Sequence, residues 1–437
     1  MKDQSPRALA LSLLLRCEND KLYSNVILDT AIRRNKLNDA DRALLTALVY
    51  GVLEKQITLD YLIDALSDRP ASKLDDDVRV LLRMGLYQLR FMDRIPAHAA
   101  LNETVSLVPK RARGFVNALL RRYTREGDTI ALPDRERERI SYLSIAYSFP
   151  APLCERFVGI FGPDRTERLF AVIDKTPPLT LRVNTCRTSL DELSTRLNTA
   201  GVSVSPALHA PTALRLEGGN PAALPGFAEG DFFVQDEASQ LCVEAIDAKP
   251  GMTVLDICAC PGSKSFGMAI HMNNTGSLTA FDLHANKLSL IEKGATRLGL
   301  TNISVVARDG RSFDPALQGA ADRVLCDVPC SGFGVLAKKP EIRYKDLSEL
   351  SPLPDIQLAI LENACRYVKS GGVLLYSTCT LFPEENEGNV ARFLSRHPEF
   401  SPCDFTAGDL TSENGMLTLT PDLHSTDGFF MAKFIKE

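Results

Sequence analysis

Two cysteines in this chain stand where a thiol can do chemistry instead of filling a core. Cys330 lies in Asp327-Val328-Pro329-Cys330-Ser331-Gly332, directly after the apolar run Val324, Leu325, Cys326. Cys379 lies in Ser377-Thr378-Cys379-Thr380, after Val373-Leu374-Leu375-Tyr376. Each pattern is that of a buried strand running out into a loop, and in open α/β sheets the loops at strand carboxyl ends line the ligand crevice. Free cysteine is among the most buried residue types, and Cys326, Cys242 and Cys365, embedded in apolar runs, are expected to be core residues of that kind. Cys330 follows a proline and Cys379 sits among hydroxyls, so both fall where the chain is leaving the core.

One reaction needs such a pair. Carbon 5 of cytosine is a poor nucleophile, but a thiolate that adds to carbon 6 makes carbon 5 enamine-like and able to attack a methyl sulfonium, dividing one hard step into easier ones. The proton on carbon 5 must then leave before the enzyme can be eliminated, and a second thiol can act as that base or position it. A carboxylic acid on ring N3 stabilises the negative charge that grows during addition, a role open to Asp327. Lys264 can hold that carboxylate and favour thiolate over thiol. The linear motif leaves the two thiol roles open, because DNA cytosine methyltransferases use the Pro-Cys thiol as nucleophile.

A methyl donor needs a cradle. Asp256-Ile257-Cys258-Ala259-Cys260-Pro261-Gly262-Ser263-Lys264 reads as a strand turning through small residues into a helix, and small residues let a nucleotide approach the backbone. Asp282, at the end of the second expected strand, is placed to take the hydroxyls of a ribose, and Asp309-Gly310 at the third suits an adenine edge. The loop is not G-x-G-x-x-G and nothing resembles a hydride-transfer pair. An adenosine-bearing cofactor without a pyrophosphate, S-adenosylmethionine, fits better than a nicotinamide dinucleotide.

The elements that must position these residues can be read from periodicity. From Asp231 onward strand and helix alternate, the mark of a parallel doubly wound sheet. Strands are expected at 252–258, 276–282, 303–309, 321–327 and 371–377, with a final pair near 416–420 and 428–435; helices fit 236–247, 263–272, 285–298 and 355–369. Right-handed crossovers put the parallel strand ends, and so every residue above, on one rim. Residues 8–125 are helical throughout, with faces over 8–18, 24–36, 40–54, 97–108 and 113–124, and Val78, Leu81, Leu82, Leu86 and Leu89 following Asp75-Asp76-Asp77. Roughly six helices are expected there. Asp134 to Arg139 and the prolines at 150, 152 and 163 read as connecting structure with short helices between. Leu179 to Thr185 reads as a strand, followed by a helix over 189–200 and shorter strands around 202–216. The division is therefore 1–127 (all-α), 128–230 (linker and small α+β insert) and 231–437 (α/β).

Composition bounds the rest. With 437 residues the chain exceeds what one core usually serves. No apolar stretch reaches membrane-spanning length, the first residues lack a secretion-signal pattern, and eleven cysteines without C-x-x-C spacing imply a reducing, cytoplasmic setting. Six scattered histidines make a closed zinc site improbable, so no metal and no membrane are expected. The net charge of -5 hides an asymmetry: residues 1–125 hold 21 Lys and Arg against 15 Asp and Glu, a surplus of 6, and the remainder 29 against 40, a deficit of 11. Lys110, Arg111, Arg113, Arg121, Arg122 and Arg125 occur with no acidic residue among them, a patch suited to phosphate. The competing reading is a solvated helix end, where cations are also favoured.

These residues together resemble the bacterial RsmB (Fmu/Sun) family of RNA cytosine-5 methyltransferases, within the NOL1/NOP2/Sun group. The matching stretches are Cys258-Ala259-Cys260-Pro261-Gly262-Ser263-Lys264, Asp327-Val328-Pro329-Cys330-Ser331-Gly332-Phe333-Gly334 and Ser377-Thr378-Cys379-Thr380, with Val234-Gln235-Asp236-Glu237-Ala238-Ser239 upstream and Pro383-Glu384-Glu385-Asn386-Glu387 downstream. The helical region, with Gly114-Phe115-Val116-Asn117-Ala118-Leu119-Leu120-Arg121, resembles a NusB-like RNA-binding domain. The resemblance implies a Rossmann-like class I methyltransferase domain behind that domain and the insert. It also implies a monomeric enzyme acting on carbon 5 of cytosine 967 in 16S ribosomal RNA, free or incompletely assembled. It makes Cys379 the nucleophile, Cys330 the thiol needed for product release, and Cys258 to Lys264, Asp282, Asp309 and Asp327 the cofactor contacts. Two stretches depart from the family pattern: the loop usually reads C-A-A-P-G-G-K, where Cys260 and Ser263 stand here, and Arg343-Tyr344 replaces a Trp on the substrate side. The rivals are a methyltransferase of the same chemistry acting on tRNA or large-subunit RNA, and an RNA-binding factor with a vestigial cofactor domain.

Overall fold

Asp39 and Asp41 open one helix of the N-terminal unit and Asp76 and Asp77 another, as the helix dipole favours. The computed structural model describes residues 5–20, 24–35 and 37–437. Residues 1–4 of the N-terminal stretch and residue 36 of the expected 24–36 helix lie outside them. The helices α1 (Pro6–Asp20), α2 (Ser24–Asn35), α3 (Asp39–Glu54), α4 (Gln56–Leu66), α5 (Asp76–Phe91), α6 (Ala97–Leu107) and α7 (Arg113–Glu126) share one core, into which α5 sends Val78, Leu81, Leu82 and Leu86. The Asn38 side chain caps α3 by accepting from the Asp41 N–H at 2.8 Å.

The structure corrects the helix count. Helix α4 went unseen because only Lys55 separates it from α3, with no Gly or Pro to mark the break. The buried Lys55 carries its charge to Asp174. The short helices expected among the prolines are present: α8 (Arg139–Tyr147), then α9 (Ala151–Phe161), which starts after Pro150, and α10 (Pro163–Ile173), which starts on Pro163, positions where a missing N–H costs nothing. Phe149 stacks on Phe170 with centroids 4.0 Å apart, and Phe157 meets Phe170 edge-on at 5.3 Å.

This unit comprises residues up to Asp174 together with Leu336–Leu347. That short return segment holds Arg343, which is 1 % exposed, donates to the Glu54 carbonyl at 2.9 Å and lies over the Phe149 ring at 4.3 Å. The Tyr344 hydroxyl donates to the Leu53 carbonyl at 2.8 Å. Arg343 and Tyr344, which stand where the family pattern has a Trp, are thus tied to the backbone and aromatic core of this unit.

The second unit, Lys175–Val335 with Ser348–Glu437, holds two sheets that matter for the site. In the smaller, β2 (Val204–Pro206), β3 (Ala213–Leu216), β1 (Leu179–Val183) and β4 (Phe232–Val234) pair antiparallel in that order, with α11 (Leu190–Thr199) started by a Ser189–Glu192 capping box. Its last strand comes from just beyond residue 230. The larger sheet contains β5 (Thr253–Asp256), β6 (Ser277–Asp282), β7 (Ile303–Ala307), β8 (Ala321–Asp327), β9 (Val368–Thr378), β10 (Phe400–Pro402), β13 (Met416–Leu419) and β14 (Phe429–Lys436), ordered β10-β14-β9-β8-β5-β6-β7 with β13 also on β14. The short strands β11 (Thr406–Ala407) and β12 (Leu410–Thr411) form a separate ribbon. Strands β5 to β9 run parallel and β14 antiparallel to β9. Helices α12 (Glu237–Ile246), α13 (Ser263–His271), α14 (Leu288–Leu298), α15 (Leu353–Ala364) and α16 (Glu387–Arg396) complete the fold, with a turn of helix α17 (Pro421–His424) before β14. The chain order reverses between β5 and β8, which places the crevice of a doubly wound sheet at those two strand ends.

Candidate active site

Strand β8 is apolar through Val324, Leu325 and Cys326, all with 0 % exposure, and the chain turns polar as it leaves the sheet at Asp327. Strand β9 does the same after Tyr376. Because the two strands pair parallel, with Asp327 opposite Ser377, their loops leave the sheet side by side. The Cys330 and Cys379 sulfurs lie 3.2 Å apart, within hydrogen-bonding distance, and neither thiol is fully buried. Cys326, Cys242 and Cys365 are core residues, as their surroundings in the sequence imply.

Close backbone packing holds the thiol loops. The Gly334 N–H donates to the Cys379 carbonyl at 2.9 Å and the Gly428 N–H to the Gly334 carbonyl at 2.8 Å. A Cβ on Gly334 would come within 1.9 Å of the Gly428 oxygen, so only glycine fits there.

Lys264, in the first turn of α13, reaches the end of β8. Its ammonium lies 2.7 Å from Asp327 Oδ2, and the Ser377 hydroxyl donates to Asp327 Oδ1 at 2.8 Å. Burial opposes the charge on Lys264, but the pull of Asp327 outweighs it, with Cys242 and Cys379 adding to the attraction, and the ammonium is held above the usual lysine range.

The loop from Cys258 to Ser263 forms the adjacent cradle. Gly262 has φ +107°, and a Cβ there would press within 2.7 Å of Phe266 and 3.2 Å of Ile291. Asp282 clips the loop: Oδ2 accepts from the Cys260 N–H at 3.1 Å and Oδ1 from the His284 N–H at 2.9 Å, leaving lone pairs on both oxygens. The Asp309 carboxylate is taken by Arg311, at 2.6 Å from Nη2 and 3.0 Å from Nε, and these hydrogen bonds hold it below its usual range. Asp256, which the sequence placed on the rim without a role, is 1 % exposed, and burial pushes it up to about 7 although Ser265 donates to it at 2.6 Å. Burial and then the charges of Asp256, Asp327, Asp282 and Asp309 all push the Cys258 thiol upward, so four carboxylates converge on this loop. Such a rim repels a pyrophosphate and suits a cationic sulfonium with ribose hydroxyls. The residues present therefore fit S-adenosylmethionine, which the Cys258–Ser263 backbone and Asp282 would hold.

Sequence reasoning missed a polar frame behind Cys330. Glu385, inside a motif quoted above without a role, accepts from the Ser331 N–H at 2.9 Å and from Gln357 Nε2 at 2.7 Å. Gln357 and Asn389 lie on helices whose apolar pattern gave no hint of them. The basic stretch is partly paired within its own unit: Arg111 with Asp75 at 3.1 Å and Arg122 with Glu126 at 2.8 Å. Among the described residues Cys365, His397 and Glu399 offer ligand atoms within 4.8 Å of one another. His397 pairs with Glu399 at 3.1 Å and the Cys365 thiol donates to the Glu362 carbonyl at 3.1 Å. No helix of the described residues is long and apolar enough to cross a membrane.

Comparison with known proteins adds three domain matches: the NusB family over residues 4–125, the ferredoxin-like domain of RsmF/B-like methyltransferases over 149–223, and 16S rRNA methyltransferase RsmB/F over 243–435. A probable ribosomal RNA small subunit methyltransferase B of Bacillus subtilis is 37 % identical over 100 % of both chains. The crystal structure of PH0851 superposes with a TM-score of 0.81 at 29 % identity, covering 99 % of each chain. A methyltransferase homolog protein from Pyrococcus horikoshii superposes at 0.61 with 27 % identity, covering 69 % of this chain and 99 % of its own.

Proposed function

The chain belongs to the ribosomal RNA small subunit methyltransferase B family, and on that premise we propose that it methylates carbon 5 of a single cytidine, cytosine 967 of 16S ribosomal RNA, through a bond from Cys379 to carbon 6. It is an S-adenosylmethionine-dependent RNA methyltransferase. The observation that carries the finer reading is the pair of thiols 3.2 Å apart at the ends of β8 and β9, beside the Lys264–Asp327 ion pair. The protein acts in the cytoplasm as a monomer, with residues 1–127 and the 128–230 region holding RNA and 231–437 doing the chemistry.

The bound cofactor supplies an electrophilic methyl group. The chain supplies everything else. Lys264 favours the Cys379 thiolate that attacks carbon 6. Asp327, held by Lys264 and Ser377, binds ring N3 and passes it a proton drawn from the Lys264 ammonium, so that no bare carboxylate faces the negative charge that grows there. After methyl transfer the carbon 5 proton passes to water that the neutral Cys330 thiol orients, the carbon 5–carbon 6 double bond re-forms and the carbon–sulfur bond breaks, returning Cys379 as thiolate. Incubating the protein with methyl-labelled cofactor and separate small-subunit, large-subunit and transfer RNA fractions tests the reading. Label confined to carbon 5 of one small-subunit cytidine is the expected result. Label in another fraction, or none, contradicts it.

Two further outcomes follow from the binding surfaces. Asp282→Ala removes both the clip on Cys260 and the acceptor for a ribose hydroxyl, and a charge-assisted hydrogen bond is worth about 1.5–3 kcal/mol. Calorimetry is expected to show cofactor affinity falling by roughly 10- to 100-fold; unchanged affinity in a folded variant removes Asp282 from the site. Changing Arg111, Arg113, Arg121 and Arg122 to Ala is expected to weaken RNA binding and flatten its salt dependence while leaving cofactor binding intact. An unaltered salt slope leaves Arg111 and Arg122 to their pairs with Asp75 and Glu126, and Arg113 and Arg121 to their local hydrogen bonds with Val108 and Asn117.

A further inference from the structure

A hydrogen bond between two identical thiols can run in either direction, so whatever makes Cys330 and Cys379 different must lie outside the pair. On the Cys379 side stands the Lys264 ammonium. On the Cys330 side the chain builds a buried frame. Glu385 is 2 % exposed, and both the Ser331 N–H and Gln357 Nε2 donate to its Oε2, an arrangement suited to a carboxylate. Gln357 Nε2 also donates to the Pro329 carbonyl at 3.1 Å. The two backbone groups flanking Cys330 are thus held by one Gln–Glu pair. Asn389 Nδ2 donates to Gln357 Oε1 at 3.1 Å and to the Tyr376 hydroxyl at 3.3 Å, while that hydroxyl donates to the Glu385 carbonyl. A second tie joins the residues after each cysteine, Ser331 Oγ and Thr380 Oγ1, at 2.8 Å.

We propose that Glu385 is the positioning residue of the thiol pair: with Gln357 it fixes the turn that carries Cys330, and its charge on that side, with Lys264 on the other, makes Cys379 the thiol that ionises and leaves the shared proton on Cys330. A fixed negative charge disfavours a nearby thiolate and a cation favours one. The Cys330 thiol is held well above its usual range by the hydrogen bond with Cys379 first, then by burial and by the charges of Cys379 and Glu385. Other titratable groups near the pair include Asp327 on β8, held by Lys264, and Tyr376 on β9, while Arg392 on α16 reaches only Asn389 Oδ1, at 3.3 Å, behind the frame. The proposal rests on Cys379 being the attacking thiol, but it concerns ionisation in the free enzyme and is testable without RNA.

The test is initial-rate alkylation of the full-length protein by iodoacetamide between pH 6 and 10, with labelling at each cysteine read by peptide mass spectrometry, because the thiolate is the reactive form. In the wild type Cys379 is expected to label at least about tenfold faster than Cys330 near neutral pH, the ratio that one unit of separation gives. Glu385→Gln, which keeps the size and one acceptor but not the charge, is expected to move Cys330 labelling to lower pH and shrink that lead several-fold. Glu385→Asp, which restores the charge, is expected to recover part of it. Equal labelling in the wild type overturns the proposal whether or not any variant folds, as does an unchanged ratio in a Glu385→Gln protein of normal melting temperature and cofactor affinity. An RNA adduct seen alongside either negative outcome removes Glu385 from its role and leaves the covalent chemistry standing.

Discussion

Cys379→Ala is expected to lose methyl transfer to RNA by about 10⁴-fold or more, the scale seen when a covalent nucleophile is removed. Without the thiolate, carbon 5 keeps the weak nucleophilicity of an ordinary cytosine, and burial and Glu385 still oppose ionisation of Cys330, the second thiol of the pair. The side chain is only half-buried, so stability should fall by no more than about 1 kcal/mol. Cofactor affinity should stay unchanged, because the cradle is built by the Cys258–Ser263 loop and Asp282. Single-turnover incorporation of labelled methyl groups, with calorimetry on the same protein, separates a chemical defect from a folding one. Substantial residual transfer would move the nucleophile elsewhere.

Lys264→Ala should have the next largest effect, on both rate and stability. The ammonium neutralises Asp327 at 2.7 Å, and with side chains 12 % and 26 % exposed the pair is largely shielded from water. Removing one member strands the other, at a cost of about 3 kcal/mol, and the lost field at the thiol and at the ring should slow transfer by roughly 10²–10³-fold. The sign with pH is fixed. Because Lys264 is held above its unfolded range, its contribution is fully present below that range and is lost only as pH rises through the folded value. The melting difference between wild type and Lys264→Ala should therefore stay flat from neutral pH to about 9 and narrow only in strongly alkaline buffer. A difference that disappears near neutral pH would mean that some other group carries the effect.

The sheet and the thiols were legible in the sequence because the parallel strands are nearly continuous apolar runs ending in polar loops, a signal that depends on composition alone. Asp327, Lys264 and Cys379 could be grouped for the same reason: parallel topology collects strand ends on one rim. Helix α4 was not legible, since a break at Lys55 stabilised by a distant partner, Asp174, leaves no local mark. The prolines at 150 and 163 marked helices without fixing their bounds, because the same residue both interrupts a chain and starts a helix. Arg343 was read from its position among family motifs, yet its fate is set by the carbonyl of Glu54 and the ring of Phe149, hundreds of residues earlier. Glu385 and Gln357 were missed for the converse reason: a polar side chain in a turn, or within an apolar helix, carries no sign of which buried group it satisfies.

The covalent mechanism is tested most directly by asking which cysteine variant traps RNA. Cys330→Ala retains the attacking thiolate and methyl transfer but impairs release, so incubation with unmodified small-subunit RNA and cofactor should yield a slow-migrating protein–RNA band on a denaturing gel. The band should carry the labelled methyl group, and mass spectrometry should place the link at Cys379. Cys379→Ala should give no band. A stable adduct with Cys379→Ala and none with Cys330→Ala would reverse the two roles, and no adduct with either would contradict a covalent route.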